Sequence, residues 1–302
     1  MSILIEPFNY EFFRHGLIAA TLTGALCGLM GVYVVLRRMS YIGHGLSHAA
    51  FGGAVVGSII NWNFYLGAGL WAFLSAVLIN ATARRRKIGA DAAIGIVTTA
   101  SFALGVAIIS KSRSFQRDFE AALFGNILGV TPQDLIIIGS VAVVVAVAIF
   151  FGYKQLLFAT FDSEIAAVYG VPTDWVETGF ALALAATIVA SMNVVGVTLI
   201  AAAVVIPPTT ARLLTDSFGT LVILSTLLGA LYGAVGIFLS YHLDIASGAA
   251  IVLLSATVFT AVYALTTLRR RLALGSSVIA HDTPPRGARA SVASEPDGHR
   301  FD

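Results

Sequence analysis

The chain has 302 residues, 58% of them hydrophobic and only 11% charged, with a formal net charge of +2. Soluble domains carry about a quarter charged residues, so this composition excludes a water-facing surface of ordinary size. The net charge is too small to argue for a nucleic-acid partner, and the single cysteine, Cys27, excludes a disulfide and a cysteine-built metal site.

At the N-terminus Glu6 and Glu11 precede Arg14, so the basic leader of a signal peptide is missing. Apolar stretches of about 20 residues then recur, the length that about 30 Å of hydrocarbon requires. They predict nine spans at about 16–36, 42–60, 64–82, 92–110, 133–152, 175–194, 196–211, 218–240 and 246–267. Each is expected to be helical, because backbone groups in lipid must pair within their own segment. The alternating ten-residue strands of a barrel are absent. The expected fold is therefore all-α: a polytopic integral membrane helix bundle over residues 1–274, followed by a disordered cytoplasmic tail over 275–302.

In span one Cys27 is expected to be a small packing residue, with Gly24, Gly28 and Gly31 beside it at helix-packing spacing. Gly53 and Gly57 repeat that spacing in span two. The segment Arg37-Arg38-Met39-Ser40-Tyr41-Ile42-Gly43-His44-Gly45-Leu46-Ser47-His48 leads into span two. His44 and His48 are four apart, so a helix places them on one face. At 1.5 Å per residue His48 lies roughly 15 Å beyond Arg38, deep in the bilayer. Ionisable residues there usually face a cavity or the bundle interior. Imidazoles at this spacing suit a metal ion, but two histidines bonded to neighbouring helices, or a proton relay, fit the spacing as well.

Asp91 precedes span four and fits a helix N-cap. Between spans five and six, Phe161 to Pro172 predict a short amphipathic helix, with Asp162 as N-cap, Glu164 in the first turn and Gly170 as the stop. Such a helix is either a surface connector or a docking element for a partner. Spans six and seven are separated by little more than Asn193, Val194 and Val195, which suits a broken helix or a tight hairpin. Asn193 is expected to bond a neighbouring backbone. Pro207 and Pro208 should break or end span seven. Asp244, in the short turn after span eight, is expected to cap span nine. Ser47, Asp91, Asn193 and Asp244 are the further polar residues that could line or gate a path.

The basic residues after spans one (Arg37, Arg38), three (Arg84, Arg85, Arg86, Lys87), five (Lys154), seven (Arg212) and nine (Arg269, Arg270, Arg271) fall on one side of the membrane. By the positive-inside bias that side is the cytoplasm, with the N-terminus outside and the C-terminus inside. The opposite loops carry Arg14, Lys111, Arg113 and Arg117. No Gly-Lys dipeptide occurs, so there is no P-loop, and any ATP-driven motor must be another polypeptide. The His-Glu-x-x-His of an intramembrane zinc protease is also absent. An enzyme is not expected.

These segments together resemble the metal-transporting permease family of ABC importers. The family's Arg-Arg-Met-Ser followed by Gly-Asp-Ala-x-Ser-His-Ala is similar to Arg37–Ser40 and Gly43–Ala49. Further matches are Asp91–Gly95, Leu123–Leu128, Phe161–Pro172, Val195–Pro207 and Leu243–Ala249, in the family's order. The resemblance implies a bacterial plasma (inner) membrane homodimer with two cytoplasmic ATPase subunits and an extracellular or periplasmic metal-binding protein. It implies a divalent metal ion as cargo, with no permanently bound cofactor. It carries metal coordination onto His44 and His48, and ATPase coupling onto Phe161, Asp162, Glu164 and Gly170. The departure is His44, where the family usually has Asp. A carboxylate suits manganese and imidazole suits zinc, and four imidazoles from a two-fold dimer suit tetrahedral zinc, so the expectation leans to zinc with manganese second. The alternatives are a secondary metal transporter that needs no ATP, which would want acidic residues in its spans, and an ABC permease for a metal chelate.

Overall fold

The structure is a computed structural model that describes residues 5–83, 89–111, 123–125 and 129–281. The expectations for Arg84 to Lys87, Arg113, Arg117, Leu128 and the tail from 282 onward lie outside the described residues. After a 3-10 turn at Glu6–Asn9 the elements are α1 (Glu11–Leu36), α2 (Ser40–Ile59), α3 (Phe64–Ala83), α4 (Ala90–Lys111), α5 (Pro132–Phe161), α6 (Ser163–Val168), α7 (Thr173–Val195), α8 (Ile200–Arg212), α9 (Phe218–Leu243) and α10 (Ser247–His281). Every expected span has its helix, and the described residues hold no strand. Seven of these helices are long and apolar enough to cross a membrane: α1, α3, α4, α5, α7, α9 and α10. The other two expected spans fall short of that length or hydropathy. The 20-residue α2 is diluted by His, Ser and Gly, and α8 has only 13 residues. At 1.5 Å per residue α8 extends about 20 Å, short of the hydrocarbon thickness. The α10 backbone stays helical to His281, so residues 275–281, expected in a disordered tail, continue the last helix.

The most extensive helix–helix contact is between α1 and α9, and small residues allow it. A Cβ on Gly24 would collide with the Gly229 carbonyl, and one on Gly233 with that of Ala20. In lipid, where no hydrophobic drive separates helix from tail, such close approach supplies the packing energy. Gly53 and Gly57 likewise receive Gly67 of α3. Cys27 is fully buried, its Sγ 3.7 Å from Ser191 Oγ, as a packing residue should be.

The two ends of the bundle can be told apart by contacts. At one, Tyr241 of α9 meets Tyr10, Phe12 and Phe13. At the other, Arg37 lies 4.6 Å over the Phe180 ring, and Leu36, Phe161 and Arg212 gather. These contacts decide between broken helix and hairpin for α7 and α8. Along α7, Phe180 sits by Arg37 and the later Ser191 by Cys27, so α7 leads away from the Arg37 end. Along α8, Val204 sits by Gly31 and the later Arg212 by Leu36, so α8 leads back. The pair is a hairpin, turned at Gly196, whose φ of 85° is open to glycine and strained for other residues. Its turn is held by Thr198 Oγ1 donating to the Leu123 carbonyl at 2.7 Å.

Pro207 and Pro208 do not end α8, contrary to expectation; the helix continues to Arg212. A proline removes the hydrogen bond to the carbonyl four residues back, and the surroundings compensate. The Val204 carbonyl, deprived by Pro208, packs on the bare Cα of Gly31. Just beyond, Thr209 and Thr210 hydroxyls donate to the Val205 and Ile206 carbonyls at 2.6 and 2.8 Å.

Candidate functional site

Helix α2 begins at the Arg37 end and packs chiefly on α3 and α4, with α7 and α8 along its flank. Its glycines bring the neighbours close: Gly45 lies under Ile94 and Thr98 of α4, and Gly52 under the Ser101 carbonyl. From Ile42 to Val55 the helix is buried except at His44, which is exposed, and His48, which is half-buried. With Tyr41, 70% exposed, the two histidines form a stripe at i, i+3 and i+7, a single open face.

The two imidazoles meet edge to face with ring centroids 4.2 Å apart, and the His48 ring sits 4.8 Å from that of Phe102. The His48 Nδ1 is buried and has no hydrogen-bond partner in the structure. At this nitrogen the alternative of a histidine bonded to a neighbouring helix finds no bond among the described residues. His44 lines a groove of about 360 Å³ between α2 and α4 together with Tyr41, Asp91, Thr98 and Thr99. Asp91 is exposed and lies inside the first turn of α4, so it is not the N-cap that the sequence predicts. A carboxylate and an imidazole thus share one groove, while no three His, Cys, Asp or Glu side chains gather as a metal site among the described residues.

The other expected path residues separate from this groove. Ser47 is fully buried, and its hydroxyl donates to the His44 carbonyl at 2.9 Å. Asn193 bonds side chains rather than the expected backbone: its Nδ2 donates to the Tyr65 hydroxyl at 2.8 Å, which in turn donates to Asp134 Oδ1 at 2.5 Å. Asp134 is 8% exposed and also closes a capping box with Thr131. Sequence reading misses this cluster. Thr131-Pro132-Gln133-Asp134 does carry the signal of a helix start, but nothing local pairs Asp134 with residues 69 and 59 positions away. Asp244 sits at φ 53° and ψ 46° as the left-handed C-cap of α9. It closes the preceding helix instead of opening α10, because the chain must reverse there within three residues.

The short helix α6 forms as predicted. The Asp162 carboxylate accepts from the Ile165 N–H at 2.9 Å. At its end Val171 N–H reaches the Ala166 carbonyl and Gly170 N–H the Ala167 carbonyl, a Schellman closure with Gly170 at φ 82°. Around it Phe161, Ile165, Val168, Tyr169 and Trp175 are all exposed at the Arg37 end. Contiguous apolar exposure on a solvent-facing end marks an interaction surface.

A multi-pass helical bundle with a polar groove among its helices, and an exposed apolar helix at one end, is the architecture of a membrane transporter subunit. The chain belongs to the ABC 3 transport family, which matches residues 9–266. It is 34% identical over 254 residues to the manganese transport system membrane protein MntC of Halalkalibacterium halodurans, covering 84% of this chain and 87% of that protein. It is also 34% identical to the manganese import system permease protein ScaB of Streptococcus gordonii, with 83% and 90% covered. Among solved structures, the chain is 32% identical to one in PsaBC from Streptococcus pneumoniae in complex with Fab. That match has a TM-score of 0.79 and covers 86% of this chain and 94% of the other.

Proposed function

We propose that this chain is the membrane-spanning permease of an ATP-driven importer for a divalent first-row transition metal, and that His44 and His48 bind the passing ion. The observation that carries the reading is the open face of α2. From Ile42 to Val55 the helix is buried on every other side and presents two imidazoles, and the buried Nδ1 of His48 has no hydrogen-bond partner among the described residues. Polar side chains turned toward lipid are costly, so this face is covered by a second copy of the chain. Two copies would bring four imidazoles together, a set that closes the ligand shell one chain leaves open. Asp91, in the same groove as His44, would receive or release the ion at the groove's mouth.

The Arg37 end faces the cytoplasm in this reading, because basic residues collect there. The N-terminus lies outside and the C-terminus inside. Phe161, Asp162, Glu164 and Gly170 then present α6 to the ATPase subunits, with the exposed Val168 and Tyr169 as the apolar contact. A separate extracellular or periplasmic protein would deliver the metal.

On the ion itself two considerations pull apart. Imidazole ligands favour zinc. The named relatives above are manganese systems, which favours manganese and lends zinc no support. Uptake by the reconstituted complex, with zinc and manganese in competition, decides it: a zinc permease takes zinc with manganese in excess. Uptake of neither ion, nor of ferrous iron, would reject the metal reading. A secondary transporter would import without an ATPase, so dependence on a co-purifying ATPase subunit separates that alternative.

A further inference from the structure

Between α3 and α5, at the Arg37 end, lies a cavity of about 350 Å³ that the transport reading does not use. The geometry points to a binding site for the phosphate headgroup of a membrane phospholipid, held by Arg37. The inference does not rest on the identity of the cargo.

Helices α3 and α5 are joined at their first turns by the Tyr65–Asp134 hydrogen bond. Beyond it each packs on α7 rather than on the other, so they diverge into a wedge floored by α7. Ile79, Phe180 and Thr160 line the wedge, and Arg37 closes it from behind. Both walls face lipid on their outer sides: Leu74, Leu78, Val147 and Phe151 are all exposed. The wedge between them is the route by which a lipid would enter. It also sits at headgroup depth. Arg37 directly follows the last residue of α1, Asn80 lies in the last turn of α3, and Thr160 in the last turn of α5.

The donors suit a phosphate oxygen. Arg37 Nε is committed to Thr160 Oγ1 at 3.0 Å, but Nη2 is buried without an acceptor. A guanidinium N–H left unsatisfied away from water is costly, and a phosphate oxygen that displaces the atoms covering it is its natural acceptor. Burial pulls the Arg37 guanidinium below its ordinary range, opposed by the nearby charge of Glu177. That carboxylate shares the lining and repels a free, doubly charged phosphate more than a singly charged phosphodiester. The apolar walls receive the glycerol and first methylenes, which a free ion lacks.

The test is native mass spectrometry of the full-length protein with added phosphatidylglycerol or inorganic phosphate. Wild type should retain phosphatidylglycerol. Arg37→Gln should weaken retention about tenfold, the scale of a charge-assisted hydrogen bond, and Ala76→Leu, which fills the cavity without removing a polar group, should weaken it too. Arg271→Gln, distant from the cavity, should not. Equal retention by wild type and Ala76→Leu would overturn the proposal even if Arg37→Gln fails to fold. Displacement of the lipid by millimolar inorganic phosphate would overturn it as well, assigning the site to a free anion.

Discussion

If the proposed reading holds, His48 is the residue on which transport turns. His48→Ala removes an imidazole whose Nδ1 has no hydrogen-bond partner among the described residues, so the fold loses ring packing on Phe102 but no hydrogen bond there, while the ion would lose a ligand. Metal uptake should fall at least tenfold, with membrane insertion and assembly unchanged; normal uptake would reject the site. At the same scale, Asp134 holds Tyr65, Thr131 and Asn193 together. Asp134→Ala leaves the Tyr65 hydroxyl and the Thr131 N–H without their acceptor and should destabilise the protein by about 1–2 kcal/mol, read as a lower thermal midpoint in detergent. Asp134→Asn, which keeps the shape, should lose less.

The elements divide into those that pack and those that present. The α1–α9 contact is close because Gly24 and Gly229 leave no side chain between backbones. Gly24→Leu would force the helices apart and should cost about 1–3 kcal/mol, the scale of overpacking. Reduced yield of folded protein on size exclusion measures it. Helix α6 has a single buried residue, Ala166, so it is built to be seen from outside. Glu164→Arg places a cation in its first turn, unfavourable to the helix dipole, and reverses the charge offered to a partner. It should weaken retention of the ATPase subunit on affinity columns; unchanged retention would count against docking at α6.

At the scale of the whole molecule, the open face of α2 asks for a second copy. Tyr41→Cys lies on that face, 70% exposed in the single chain, whereas the native Cys27 is fully buried. A short bifunctional thiol reagent should link two Tyr41→Cys chains into a dimer on a denaturing gel. A purely monomeric product would mean that lipid, not protein, covers the histidines.

The sequence by itself determined that the chain lives in a bilayer, where its helices lie, how α6 begins and ends, and that two histidines share a face. These follow from local quantities: apolar run length, helical period, and capping residues a few positions apart. What only the tertiary structure decided depends on which segments become neighbours. Pro207 and Pro208 look like breakers until the bare Cα of Gly31 receives the Val204 carbonyl that Pro208 frees. Asn193 looks solitary until α3 and α5 bring Tyr65 and Asp134 to it. Asp91 looks like a cap until it shares a groove with His44. In each case the partner stands tens of residues away in the chain, and only packing brings it close.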